Sequence, residues 1–272
     1  MGRLYVVATP IGNLEDITLR ALRLLQEVRL IAAEDTRHTR ILLERHGIKT
    51  PLLRYDEHSH ARQVRRVLEE LERGDVALVS DAGTPGLSDP GGALVRAAAE
   101  AGHTVSPIPG PSAVAAAIAG AGFAAESFLF VGYLPRRSAE RRELLARLAS
   151  EPRTIVAFEV PHRLRGSLRD LEVSLGADRP AAAARELSKV YEEFVRGTLG
   201  ELRRRFEAVD PRGEFTLVIA GRESAAWSEA EVRADIARRM RQGEAPARAA
   251  REVARASGWP RQDVYRMALE RE

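Results

Sequence analysis

The sequence predicts an α/β protein built from two α/β domains, the first with a mainly parallel sheet and the second with a mixed sheet, followed by a small C-terminal three-helix unit. Three observations carry this. Through the first half, short β-rich runs alternate with helical periods, the pattern of a parallel sheet covered by helices. In the second half the strand-like runs crowd together, so some neighbours pair antiparallel. Beyond residue 223 strand signals vanish and only amphipathic helical periods remain. A chain of 272 residues suits two domains and an appendix. The expected boundaries are 1–118, 119–222 and 223–272.

Leu4 to Ala8 is a β-branched run that ends in the loop Thr9-Pro10-Ile11-Gly12-Asn13. Thr18 opens a helix with Leu19, Leu22 and Leu25 on successive turns, Leu30 to Ala33 is a second strand, and a helix starting at Thr36 is expected to turn Ile41 and Leu42 inward. Val64, Val67, Leu68 and Leu71 give one apolar helix face, stopped by Gly74-Asp75. Val76 to Val79 is continuously apolar, as a buried parallel strand should be. A small-residue helix follows (Gly91 to Ala101), then a strand (Val105 to Ile108) and another helix (Ser112 to Ala119). The Gly/Ala-rich stretch from Ala119 to Ala125 suits a joint. Beyond it come strand Phe128 to Leu134, charged helix Ser138 to Leu148, and strands Thr154 to Val160, Pro180 to Ala184, Glu193 to Leu199 and Phe215 to Ala220. Ser228 with Glu231 forms a capping box. Three helices then present Val232, Ile236 and Met240, then Ala250, Val253 and Ala254, then Val264, Met267 and Ala268, the last two with helix-turn-helix spacing.

Composition excludes several classes. Without cysteine there is no disulfide framework, thiolate metal site or cysteine nucleophile. No stretch approaches the ~20 apolar residues of a membrane span, and no signal peptide is visible, so a cytoplasmic protein is expected. Net charge is only +3, yet Lys49 and Lys189 are the sole lysines. Arginine suits phosphate and base contacts, but GC-rich coding produces the same bias, so RNA binding must rest on local clusters.

The segment from Ser80 to Gly91 directly follows a buried strand and precedes a helix, which places it at a sheet's carboxyl edge, where open α/β folds bind ligands. Gly83 and Gly86 admit close approach, and Asp81 can hold a cationic or hydroxyl-bearing group. It is neither a G-x-G-x-x-G nor a P-loop, and it is longer than a plain strand-to-helix turn needs to be. Pro107 to Ala113 ends another strand, with Ser112 and the free N–H groups of a helix start as a polar cradle; a rigid connector is the other reading. With Thr9 to Asn13, three strand-end loops share one edge. His58 and His60 beside Asp56 and Glu57 have strand-like spacing and no further clustered ligand, so a solvated loop is expected and no metal.

Thr9 to Leu14, Ala33-Glu34-Asp35-Thr36-Arg37, Ser80 to Pro85, Pro107 to Ala113 and Ala184-Arg185-Glu186-Leu187 resemble, in order and over residues 4 to 221, the signature blocks of the tetrapyrrole methylase superfamily. More narrowly they are similar to the ribosomal RNA small subunit methyltransferase I family. The resemblance implies a cofactor cleft between two α/β domains and a homodimer. It further implies S-adenosyl-L-methionine as donor and 2′-O-methylation of a decoding-centre cytidine in 16S rRNA, cytidine 1402, on the rRNA or the 30S subunit. One block departs from the family's Phe-Tyr-Glu-Ala-Pro-His-Arg: here Ala157 to Arg163 carries Phe158 and lacks the tyrosine hydroxyl.

Carried over by the resemblance, the cofactor's neighbours are Pro10, Ile11, Asp81, Gly83, Thr84, Ser112, Ala113, Phe158, Ala184, Arg185 and Phe215. The reaction is an in-line displacement, so positioning should dominate. A general base, if used, comes from Glu34, Glu159, Glu186, His162 or Lys189; a lysine would need its pKa lowered. For each carboxylate an ion pair with a motif arginine such as Arg37, Arg163 or Arg185 is the favoured reading over catalysis. Arg136, Arg137, Arg141 and Arg142 follow a strand end and would sit beside the cleft to track RNA phosphates, or form a solvated helix face paired with Glu140 and Glu143. The rival functions are a tetrapyrrole (precorrin-type) methylase and a non-catalytic RNA-binding module. The arginine cluster and the extra C-terminal helical unit, expected to present a large anionic substrate, speak against the first, and the intact Asp81, Gly83 and Ser112 loops against the second.

Overall fold

The computed structural model describes residues 2–56, 60–222 and 227–270. The His58-to-His60 spacing considered for a metal lies outside the residues whose side chains are described. Met1–Ala149 with Arg153–Ala220 forms one compact unit, and Ser150–Pro152 with Gly221–Glu272 a second.

Five strands of the first unit, β1 (Arg3–Val7), β2 (Leu30–Ala33), β3 (Leu52–Arg54), β4 (Val76–Val79) and β5 (Thr104–Ile108), make an all-parallel sheet in the order β3-β2-β4-β1-β5. Alternate residues point to opposite faces. Tyr5, Val7, Ile31 and Val79 pack with Leu24 and Leu25 of α1 (Leu19–Glu27) and Leu42 and Leu43 of α2 (Thr36–Arg45). Leu4, Val76 and Leu78 pack with Val67 and Leu71 of α3 (His60–Leu71) and Leu94 and Ala98 of α4 (Gly92–Glu100). Burial on both faces explains why β4 reads as an uninterrupted apolar run. The chain leaves β1 toward the α1 face and β4 toward the α4 face. The loops of these two adjacent strands therefore diverge, which opens a crevice at their carboxyl ends. Ile41, expected inward, is exposed; the helix turns Leu42 and Leu43 to the core instead.

The second sheet has the order β6-β7-β10-β8-β9, from β6 (Phe128–Tyr133), β7 (Thr154–Glu159), β8 (Pro180–Arg185), β9 (Glu193–Thr198) and β10 (Phe215–Ile219). β6 and β7 are parallel, and β10 runs antiparallel to both β7 and β8, as β9 does to β8, so the sheet is mixed. One face packs on Leu145 of α6 (Ser138–Arg147), Leu164, Leu168 and Leu171 of α7 (Pro161–Leu175), and Leu202 and Phe206 of α8 (Leu199–Ala208). The other face receives Val114, Ala117 and Ala121 of α5 (Ala113–Ala121) against Val156, Ala182, Ala184 and Val218. The helix that leaves the last strand of the first sheet thus lies on the second. Residue 118, the expected end of the first domain, falls inside it. Close approach here depends on small residues: a Cβ on Gly120 would come within 2.3 Å of the Phe194 ring.

The second unit packs α9 (Glu229–Arg241), α10 (Pro246–Ser257) and α11 (Arg261–Leu269) around Val232, Ile236, Ala250, Val253, Val264 and Ala268. Ser228 and Glu231 form the capping box. The indole N–H of Trp259 donates to the carbonyl of Trp227 at 2.6 Å.

Candidate active site

The crevice is built by backbone before side chains enter. Thr9 and Gly83 exchange N–H···O bonds of 2.9 and 3.0 Å, and the Thr9 hydroxyl donates to the Ser80 carbonyl at 3.0 Å. The loops after β1 and β4 are thereby tied where they would otherwise splay. Gly83 holds φ +75°, which an L side chain rarely adopts. The Asp35 N–H donates to Asp81 at 3.0 Å, joining the loop after β2. Ser112 caps α5 through the Ala115 N–H at 3.4 Å. From the second sheet, Phe158, Thr216 and Ala184 are register partners across β7, β10 and β8, so the three stand in one row facing α5.

These loops and this row enclose one cleft of about 300 Å³. Ile11, Asp81, Gly83, Thr84, Ser112, Ala113, Phe158, Ala184 and Phe215 all line it. Two sequence-predicted neighbours do not. Pro10 faces a small adjoining pocket with His38 and Leu42. The Arg185 guanidinium turns to the Arg212 carbonyl at 2.7 Å and to Glu193 at 3.6 Å. Sequence reasoning missed Tyr133, Asp89, Val114, Leu187 and Glu214, which also line the cleft. Asp89 lies in the Ser80-to-Gly91 segment and was in that sense within reach; Tyr133 and Glu214 carry no local signal. Tyr133 packs edge-on to Phe158, with ring centroids 5.4 Å apart, so it brings a phenol to the wall where Phe158 has none.

Electrostatics sort the proton-transfer candidates. Glu159 is 1% exposed and fully engaged: it accepts from the Val160 N–H at 2.9 Å, from the Ser167 hydroxyl and from Arg163. Lys189 donates to Glu186 and Glu214, each at 3.0 Å. Burial opposes its charge, but those two hydrogen bonds outweigh burial and raise its pKa, the opposite of what a lysine base needs. Burial likewise opposes the charge of Glu186, yet the Glu214 N–H and Lys189 outweigh it and lower the pKa. Glu34 lines the cleft and accepts the Asp81 N–H at 3.4 Å. His162 lies outside this cleft, in a pocket beside it. Asp89 stands apart: burial first, then the negative charge of Glu34, push its carboxyl up to about 6.

The arginine cluster divides. Arg141 is 6% exposed and donates to Asp170 at 2.8 Å and to the Pro135 carbonyl at 3.0 Å, so it anchors α6 to α7 and is not a surface contact. Arg137 pairs with Glu140 at 3.3 Å on the exposed face. Arg136 and Arg142 are exposed. Among the described residues no cluster of three or more His, Asp or Glu side chains is arranged for a metal, and no helix is long and apolar enough to cross a membrane.

A parallel and a mixed sheet joined through one helix, with the strand-end loops of both on a shared cleft, define a protein of the tetrapyrrole methylase fold. The model of the Tetrapyrrole (Corrin/Porphyrin) Methylases matches residues 3–203. A uroporphyrin-III C-methyl transferase from Thermus thermophilus, complexed with S-adenyl homocysteine, superposes with a TM-score of 0.57 over 80% of this chain and 97% of its own, at 22% identity. The Ribosomal RNA small subunit methyltransferase I of Synechocystis sp. is 46% identical over 100% of this chain and 99% of its own length. That of Thermotoga maritima is 48% identical over 82% of this chain and 100% of its own. The chain belongs to the ribosomal RNA small subunit methyltransferase I family within the tetrapyrrole methylases.

Proposed function

We propose that the protein is a cytoplasmic, homodimeric S-adenosyl-L-methionine-dependent methyltransferase of small-subunit ribosomal RNA, which methylates a ribose 2′-hydroxyl of the decoding centre, cytidine 1402 of 16S rRNA, on the rRNA or the assembled 30S subunit. The observation that carries this reading is the convergence of Asp81, Ser112 and Phe158, from three separate strand ends, on one cleft. The relatives' shared name supports the substrate class.

The residues present fit the cofactor. Glu34, Asp81 and Asp89 form a wall suited to a cation, while Ile11, Val114, Phe158, Leu187 and Phe215 offer apolar surface to a purine. Ser112 and Thr84 supply polar atoms between. The binding set we assign is Ile11, Asp81, Gly83, Thr84, Ser112, Ala113, Phe158, Ala184 and Phe215. Bound there, S-adenosylmethionine supplies an electrophilic methyl carbon on a cationic sulfur. The protein's own work is to exclude water, hold the acceptor hydroxyl in line and receive its proton. With Glu159, Glu186 and Lys189 committed to ion pairs, Asp89 is the cleft carboxylate whose raised pKa suits proton transfer near neutrality.

Calorimetry with S-adenosylmethionine, followed by mass spectrometry of nuclease-digested small-subunit RNA incubated with the enzyme, tests this. One 2′-O-methylated ribose is expected. Absence of cofactor binding favours a non-catalytic RNA module, and binding without RNA methylation favours a tetrapyrrole acceptor.

A further inference from the structure

A second pocket, with about 790 Å³ of open volume, adjoins the cleft along Tyr133, which lines both. Its other walls are Leu134, Pro135, Arg136, Val160, His162 and Arg163. The two spaces differ in charge. Besides Glu159, which pairs with Arg163, the first carries Glu34, Asp81 and Asp89, and its one cation, Lys189, is held by Glu186 and Glu214. The second has no carboxylate among its lining residues and three basic side chains. Of these, Arg163 is neutralised by Glu159 and also donates to the Leu134 carbonyl. The Arg136 guanidinium has no acid or carbonyl partner among the described residues.

The geometry of ribose makes this arrangement consequential. The 2′-hydroxyl and the 3′-phosphodiester sit on neighbouring ring carbons, so an acceptor hydroxyl brought into the cleft brings its phosphate with it. A phosphate set against three carboxylates would be repelled, and the nearest space of opposite character lies across the Tyr133 ring. We propose that the pocket of Tyr133, Arg136 and His162 seats the phosphodiester on the 3′ side of the acceptor ribose, with Arg136 as its cationic partner. This deepens, and rests on, the reading of the protein as a ribose methyltransferase. Arg136 is thus a positioning residue: it acts on the hydroxyl through the phosphate that shares its ribose.

The test uses the full chain and a single-stranded oligoribonucleotide spanning the acceptor, made with either a normal phosphate or an uncharged methylphosphonate 3′ of the acceptor. Arg136→Ala is expected to weaken binding of the normal oligonucleotide about tenfold, the scale of one charged hydrogen bond. It should also lower the slope of log affinity against log salt by about one. The wild type should lose a similar factor with the methylphosphonate, and Arg136→Ala should lose little more on that oligonucleotide. The affinity for S-adenosylmethionine should not change in the variant. Unchanged RNA affinity and salt slope in Arg136→Ala, or fully additive losses from variant and methylphosphonate, overturn the proposal. Wild-type enzyme that binds cofactor and RNA yet yields no 2′-O-methylated product overturns the functional reading instead. The binding data still decide whether Arg136 takes that phosphate.

Discussion

Asp89 is the cleft carboxylate that its surroundings push closest to neutrality. Its carboxyl is raised to about 6 because it is partly buried and faces Glu34 and Asp81. A folded-state pKa above the unfolded value means the folded protein holds the proton more tightly. The associated stability is therefore fully present below the unfolded pKa of 3.8 and is lost as pH rises through the folded value near 6. Asp89→Asn removes this penalty. At about pH 8 the variant should melt higher than the wild type, with the difference closing below about pH 4. The methyl-transfer rate of the wild type should rise with pH through about 6 and then level. In Asp89→Asn that step should disappear and kcat should fall, by the ~10²–10⁴ typical of a lost general base. A variant with an unchanged pH profile would return the proton to solvent. Arg141 shows the other side of residue-scale reading. In the sequence it is one of four clustered arginines and indistinguishable from its neighbours. The structure turns it inward to Asp170, 12% exposed, and only the tertiary packing of α6 on α7 decides that. Arg141→Ala leaves that carboxylate buried without its partner and should cost about 3–5 kcal/mol, read as a lower denaturation midpoint. Arg142→Ala, on the exposed face, should stay within about 0.5 kcal/mol of wild type.

At the scale of elements, the strand-end loops were legible because each combines a short apolar run with a Gly- and Pro-rich turn too long for mere connection. Ser80 to Gly91 is the clearest case, and its Gly83 has a defined task. The φ of +75° lets it exchange hydrogen bonds with Thr9 and so tie the loops after β1 and β4. An added Cβ would meet Ile11 at an ordinary 3.6 Å, so the cost of Gly83→Ala is conformational, about 1–2 kcal/mol, and not a steric block of the cleft. Gly83→Asn, which tolerates this conformation better, should recover part of that loss in thermal melts. Equal melting of the alanine and asparagine variants would assign the cost to something other than backbone angle. Among the strands and α-helices, β3, α7 and α8 escaped the sequence reading. β3 is only three residues long. α7 carries Leu164, Leu168, Leu171 and Leu175 at helical spacing, but it begins at Pro161 directly behind a strand, within a block that reads as a functional motif. α8 follows β9 without a connecting loop, its N-cap Thr198 being the strand's last residue, so the change of period is abrupt. In each, the signal is shortened or overlapped by its neighbour. The Ile41 error has a related cause: three consecutive apolar residues, Ile41 to Leu43, span more of the helix circumference than its buried face, and the pattern alone does not say which one yields.

At the scale of the whole molecule, the cleft draws every lining residue from the unit that ends at Ala220. The three-helix unit has its own core and its own cap. Its arginines are matched in sequence by nearly as many acids, and many are spent internally: Arg238 and Arg239 on Asp235, Arg251 and Arg255 on Glu252, Arg266 on Asp263. Pairs of this kind on an exposed helix contribute little stability and leave little net field for a distant phosphate. The Thermotoga maritima relative, matched over 100% of its own length by 82% of this chain, shows that the family includes proteins without a counterpart for about a fifth of it. A chain ending at residue 222 keeps every residue that lines the cleft, so it should fold, bind S-adenosylmethionine with unchanged Kd, and transfer methyl to small-subunit RNA at near wild-type kcat. Its KM for RNA should rise by less than tenfold, about the loss expected for a single charged contact, because the basic side chains that line the pocket beside the cleft belong to the larger unit. A truncated chain that binds cofactor but has lost kcat would show that the helices present the substrate. One that has lost cofactor binding as well would show that the cleft needs support from outside its own unit.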